Sequence, residues 1–167
     1  MRVDPYFLVA SPAAWPHDVR MKPHVILPTD REELSRLVTG AIHSVDIRRI
    51  VMKVSMLSPQ AIHEVERLLR CLPPVFAWRF RPNLHAPVLM FNRNGYIREA
   101  ALKAINQLPD TPFFLAALVW RLNDWVEPVR RAAQYCANRE LPRLSTRTIV
   151  GAAPFLLERM KIGRAHV

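Results

Sequence analysis

With 167 residues, half of them apolar and only four glycines, the chain can bury a substantial core, as one compact domain or as roughly four to five stacked helix pairs. Its 24 Lys and Arg outnumber 14 Asp and Glu for a net charge of +10, carried mostly by Arg, whose two-pronged guanidinium suits the carboxylates of an acidic protein or the phosphates of a nucleic acid. Cys71 and Cys136 have neither paired nor metal-like spacing, residues 7–10 are too short an apolar stretch for a signal peptide, and no apolar run approaches the roughly twenty residues of a membrane span. A cytoplasmic location, a reducing compartment and no membrane partner are therefore expected.

In chain order, residues 1–28 carry Pro5, Pro12, Pro16, Pro23 and Pro28, too many for a long regular element, and an extended or partly mobile segment is expected. Thr29 and Glu32 then form a capping box. Leu34, Leu37, Val38, Ala41, Ile42 and Val45 follow at helical spacing, so a helix is predicted. Residues 47–57 fit a helix or a strand, because Ile50, Met52, Val54 and Met56 also alternate; the helical character of the rest favours helix. Ser58-Pro59 opens another helix, with Ile62, Val65, Leu69 and Leu72 on one face and Pro73-Pro74 at its end. Residues 73–87 hold four prolines and read as an irregular bridge. In it Trp78, Arg79 and Arg81 interleave an aromatic with cations and form a candidate ligand surface. Residues 29–87 as a whole are expected to be an N-terminal helical part built of irregular or degenerate repeats.

The clearest pattern lies in residues 88–161. Ile97-Arg98-Glu99-Ala100-Ala101 returns as Val129-Arg130-Arg131-Ala132-Ala133, 32 residues later. Ile97, Ala100, Ala101, Ala104 and Ile105 correspond to Val129, Ala132, Ala133, Cys136 and Ala137, one stripe of an amphipathic helix in each copy. Asn92 and Asp124, at the same 32-residue shift, are the expected helix starts, and Asp124 with Glu127 resembles a capping box ahead of Pro128. Between the copies, Asp110-Thr111-Pro112 opens an apolar segment that runs to Leu122, a helix that belongs in the interior. Here Asn94-Gly95-Tyr96-Ile97-Arg98-Glu99-Ala100-Ala101-Leu102 and the stretch from Leu122 to Ala133 resemble the HEAT-like repeats of phycobilisome-lyase-type proteins, with Asp-x-x-x-x-Val-Arg-x-x-Ala as the recognisable part. The resemblance implies an all-α fold, an alpha-alpha superhelix of antiparallel helix pairs, and a non-catalytic scaffold for protein partners. It also implies that Asn92, Arg98, Asp124 and Arg130 are structural repeat positions, with each Arg paired to acidic or carbonyl groups of an adjacent repeat.

Residues 162–167 break the pattern of the preceding helix and read as the translation of a sequencing adapter, so a non-native tail is expected there. Trp120, Trp125 and Tyr96 near helix ends read first as fillers between helix pairs and second as stacking or anchoring groups. Arg93 and Arg121 join Trp78, Arg79 and Arg81 as binding candidates. The histidines show no metal-like spacing, no phosphate loop or paired carboxylates stand out, and no catalytic residue, cofactor or metal is expected. The alternative function is nucleic-acid binding of the DNA alkylation-repair type, which shares such a fold; its cleft motifs find no residue-by-residue match here.

Overall fold

The computed structural model describes residues 47–70 and 82–164, with positions 32, 35 and 36. The Pro-rich segment 1–28, most of the helix expected from Thr29, the candidates Trp78, Arg79 and Arg81, and residues 165–167 lie outside the described residues. All described elements are helical: α1 (Ile47–Ser55), α2 (Ile62–Leu69), α3 (Pro82–Leu89), α4 (Gly95–Ala104), α5 (Pro112–Leu122), α6 (Glu127–Glu140) and α7 (Thr146–Arg164), with short 3-10 turns at Pro59–Ala61 and Leu141–Arg143. The protein is all-α, with no strand among the described residues.

Of the ambiguous residues 47–57, Ile47–Ser55 form helix α1 and Met56 and Leu57 the turn after it. Ile50, Val51 and Val54 are buried while Met52 and Met56 are exposed, which divides the residues by helical face. Ser58 accepts a hydrogen bond from the Gln60 N–H at 3.2 Å and opens the turn that leads into α2, whose Ile62, Val65 and Leu69 are buried. Helix α3 departs from the irregular bridge expected over 73–87. Pro82 takes its first position, where a missing N–H removes no bond, and Pro87 is accommodated in its last turn.

Two helix pairs and a final helix follow. Helix α3 packs on α4, and α5 on α6. Helix α4 also packs on α6, and α5 on α7. The relative directions follow from neighbours at each end. Gly95 at the start of α4 lies against Val126 at the start of α6, and Leu108 beyond the end of α4 meets Glu140 at the end of α6, so α4 and α6 run parallel. Gly151 faces Pro112 at the start of α5 and Arg159 covers Trp120 near its end, so α5 and α7 run parallel too. A Cβ on Gly151 would stand 2.7 Å from the Pro112 ring, so the two helices cross here closer than any side chain at 151 would allow.

Helix α5 is the centre of the molecule. Phe113, Phe114, Leu115, Ala116, Ala117 and Leu118 are buried in succession, as the apolar composition all round the helix requires. The alanine seams Ala101 and Ala132–Ala133 are buried as well. They do not converge on one third helix, however: α4 packs on α3 and α6, and α6 on α4 and α5. Ala100 and Ala104 in consequence are less covered than their counterparts Ala132 and Cys136. The helical backbone of α7 continues to Arg164, into the segment whose sequence pattern breaks.

Candidate functional site: the junction between two helix pairs

The two copies of the repeated motif build the same local structure. Asn92 Oδ1 accepts from the Asn94 N–H at 2.9 Å, and Asp124 Oδ1 accepts from the Val126 N–H at 3.0 Å. Neither is the helix cap expected of it. The cap of α4 is Asn94, whose side chain accepts from the Tyr96 N–H at 2.9 Å, and the cap position of α6 is Val126, which has no side-chain cap. Asn92 and Asp124 act two residues earlier, in tight side-chain turns that deliver the chain into each helix. Glu127 does not complete a capping box; it pairs with Arg131 one turn on. Thr111 takes the cap position of α5 ahead of Pro112, but its hydroxyl is buried with no partner among the described residues, while Asp110 accepts from the Ser145 N–H at 3.0 Å and so holds the start of α7.

The repeated arginines also match. Arg98 Nη1 donates to the carbonyls of Asn92 and Arg93 at 3.0 Å each, and Arg130 Nη1 donates to those of Asp124 and Trp125 at 2.8 and 3.2 Å. Each ties down its own preceding loop. Arg98 then uses its other edge on the next pair: Nε and Nη2 donate to Asp124 at 2.9 and 2.8 Å, a bidentate fork with both residues buried. Asp124 accepts a further bond from Arg121 Nη1 at 2.8 Å, and Arg121 Nη2 reaches Glu66 on α2 at 2.5 Å. The result is a chain of alternating charge from α2 through α5 to α4, two cations against two carboxylates. Burial alone would push the Asp124 carboxyl up, but the Arg98 hydrogen bonds, the Val126 N–H and Arg121 together outweigh it and hold it below the ordinary carboxylate value.

Arg121 therefore occupies a different place from the surface expected of a ligand-binding residue. It is 3 % exposed and both of its Nη atoms are engaged within the protein; its Nε is buried without a partner among the described residues. A second polar tie went unnoticed in the sequence. Glu140, 1 % exposed, accepts from the Leu108 N–H at 3.0 Å, from Arg139 at 2.7 Å and from Arg143 at 3.4 Å, so it closes the loop after α4 against the end of α6. Burial pushes the Cys136 thiol up, in spite of Arg139, so the group is a buried thiol and not a thiolate.

The surface cations are correspondingly dispersed. Arg93 is exposed at the starting end of α4 and α6. Arg139, Arg143 and Arg147 lie at the opposite end, about 15 Å or more away along a helix of this length. Two of them are drawn toward Glu140. What does gather at the starting end is aromatic. Tyr96 and Trp125 are 84 % and 80 % exposed on either side of the Gly95–Val126 contact, and Arg93 stands in the repeat slot of Trp125. Trp120 differs from them: it is partly covered, edge-to-face with His63 and capped by the Arg159 guanidinium 3.8 Å above its ring. The Arg159 guanidinium also lies 2.8 Å from His63 Nε2, within hydrogen-bond distance.

Among the described residues no group of His, Cys, Asp or Glu is arranged to hold a metal ion, and no helix is long and apolar enough to cross a membrane. No family model, curated protein or solved structure matches the chain.

Proposed function

We propose that this chain is a HEAT-like helical-repeat scaffold, an alpha-alpha superhelix in type, that binds a protein partner through the ridge of Arg93, Tyr96 and Trp125. The parallel runs of α4 with α6 and of α5 with α7, and the same Asx-turn and arginine clasp 32 residues apart, support the repeat reading. The exposure of Tyr96 and Trp125 on a base fixed by buried ion pairs is the observation that carries the binding reading. Large rigid aromatics and Arg supply most of the binding energy at protein interfaces, and an anchored loop loses little entropy when it docks. The net charge of +10 adds attraction for an acidic surface.

A photo-crosslinking residue at position 96 or 125 of the full chain, introduced in living cells, is expected to give one discrete protein adduct, and the same group at Gln107, exposed beyond the opposite end of α4, none. Trp125→Ala should then weaken binding of the purified adduct partner at least about tenfold and leave stability within roughly 0.5 kcal/mol, as for other exposed sites. Equal labelling at all three positions would overturn the reading. A low-salt mobility shift with DNA that fades steeply as salt rises would replace it with the nucleic-acid alternative.

A further inference from the structure

The match between Arg98 and Arg130 is incomplete at one point. Both arginines spend Nη1 on their own loop carbonyls. Arg98 gives Nε and Nη2 to the Asp124 carboxylate of the following pair. The same two atoms of Arg130 have no partner among the described residues, although the clasp beneath fixes the guanidinium in the same way. Helix α7 follows α6 in the chain as α5 follows α4. Helix α5 is covered by α6, but Ile149, Val150 and Leu157 of α7 are 46 %, 64 % and 58 % exposed. With Ala153 they fall at i, i+1, i+4 and i+8, one face of the helix, turned away from the Thr148, Ala152 and Phe155 side buried in the protein.

We infer that the open edge of Arg130 and the apolar face of α7 form a docking site for an amphipathic helix of a partner protein, led by a loop that presents an Asp or Glu to Arg130. The molecule's own junction defines this chemistry, for that is how the loop at Asp124 and helix α6 sit on Arg98 and α5. A second copy stacked head to tail is disfavoured, because its earlier loop would bring Asn92, which carries no charge, to the guanidinium. The flank of α6 also bears on the kind of contact. Gln134 and Asn138 share the face of Arg130 and are exposed, and Gln134 stands where buried Leu102 stands one pair earlier. A helix docked here meets a polar flank on one side and an apolar face on the other, the make-up of an exchangeable interface rather than a permanent one. This surface adjoins the ridge, since Arg130 holds the Trp125 carbonyl, but it draws on other side chains than those of Tyr96 and Trp125.

The test uses a labelled synthetic peptide with the sequence of residues 122–140, added to the full chain. Saturable binding is expected, about tenfold weaker when the peptide carries Asp124→Asn, since a charge-assisted bidentate pair is lost. A chain with Arg130→Gln should bind both peptides equally and weakly, and Arg130→Lys should behave nearly the same, because an ammonium cannot supply two parallel donors. Leu157→Glu in the chain, with its helical circular dichroism intact, should abolish binding. A photoreactive group on the peptide should label residues 146–159. Absence of saturable binding, indifference to the Asp124→Asn exchange or to Arg130, or labelling within α4 would overturn the inference. Trp125→Ala in the chain should leave peptide binding unchanged, so this site and the aromatic ridge can fail independently.

Discussion

Replacing Asp124 with alanine is expected to destabilise the protein by about 3–5 kcal/mol, the range found when one partner is removed from a buried ion pair. The size comes from what remains. Arg98 and Arg121 would keep their buried guanidinium groups and lose the carboxylate that takes three of their N–H bonds, and the Val126 N–H would lose its acceptor. Glu66 would still balance one of the two cations. Equilibrium urea unfolding gives the value, and a loss under about 1 kcal/mol would mean that water or rearrangement satisfies the arginines. Asp124→Asn should cost less, because an amide oxygen can still serve Val126 and one arginine N–H.

The same carboxylate predicts an acid dependence. Its folded value lies below the ordinary one, so its contribution is fully present above about pH 4 and is lost as the pH falls through the folded value below that. Stability of the parent measured from pH 6 down to pH 2 should therefore fall more steeply than that of Asp124→Asn. Parallel curves would show that other carboxylates control the acid transition.

The other large effect is expected at Phe113. Its ring is fully buried, 6.0 Å from Phe91 and 5.5 Å from Phe114 between centroids, at the point where the turn after α3 meets the start of α5. Phe113→Ala removes most of a large apolar side chain and leaves a cavity lined by rigid rings, a cost of about 3–5 kcal/mol. Thermal melting followed by circular dichroism is the measurement. A small effect there would mean that α5 is not the core on which the two pairs are assembled.

The elements themselves were largely legible, because an apolar stripe at 3.6-residue spacing has one common cause. The helices around Ile97 and Val129 and the interior helix from Pro112 follow from it directly. Helix α3 did not, since Pro82 and Pro87 read as breakers, and only the position of Pro82 at a first turn makes it a starter. The caps were misplaced by two residues for a related reason: Asn92 and Asn94 are equally good cap types, and which one precedes the first helical residue depends on a turn that composition does not encode. Arg121 carried a usable signal, an arginine inside an otherwise apolar helix three residues before Asp124. Glu140 carried none, because its main partner is a backbone N–H at Leu108, 32 residues away. The exposure of Tyr96 and Trp125 was not legible either, since an aromatic at a helix end serves equally to fill a gap or to meet a partner.

Asp124 belongs to two structures at once. It shapes the entry to α6 and it is the counter-ion of an arginine on α4. Losing either helix leaves a charge at this junction without its counter-ion, so opening of one pair is expected to weaken the pair beside it.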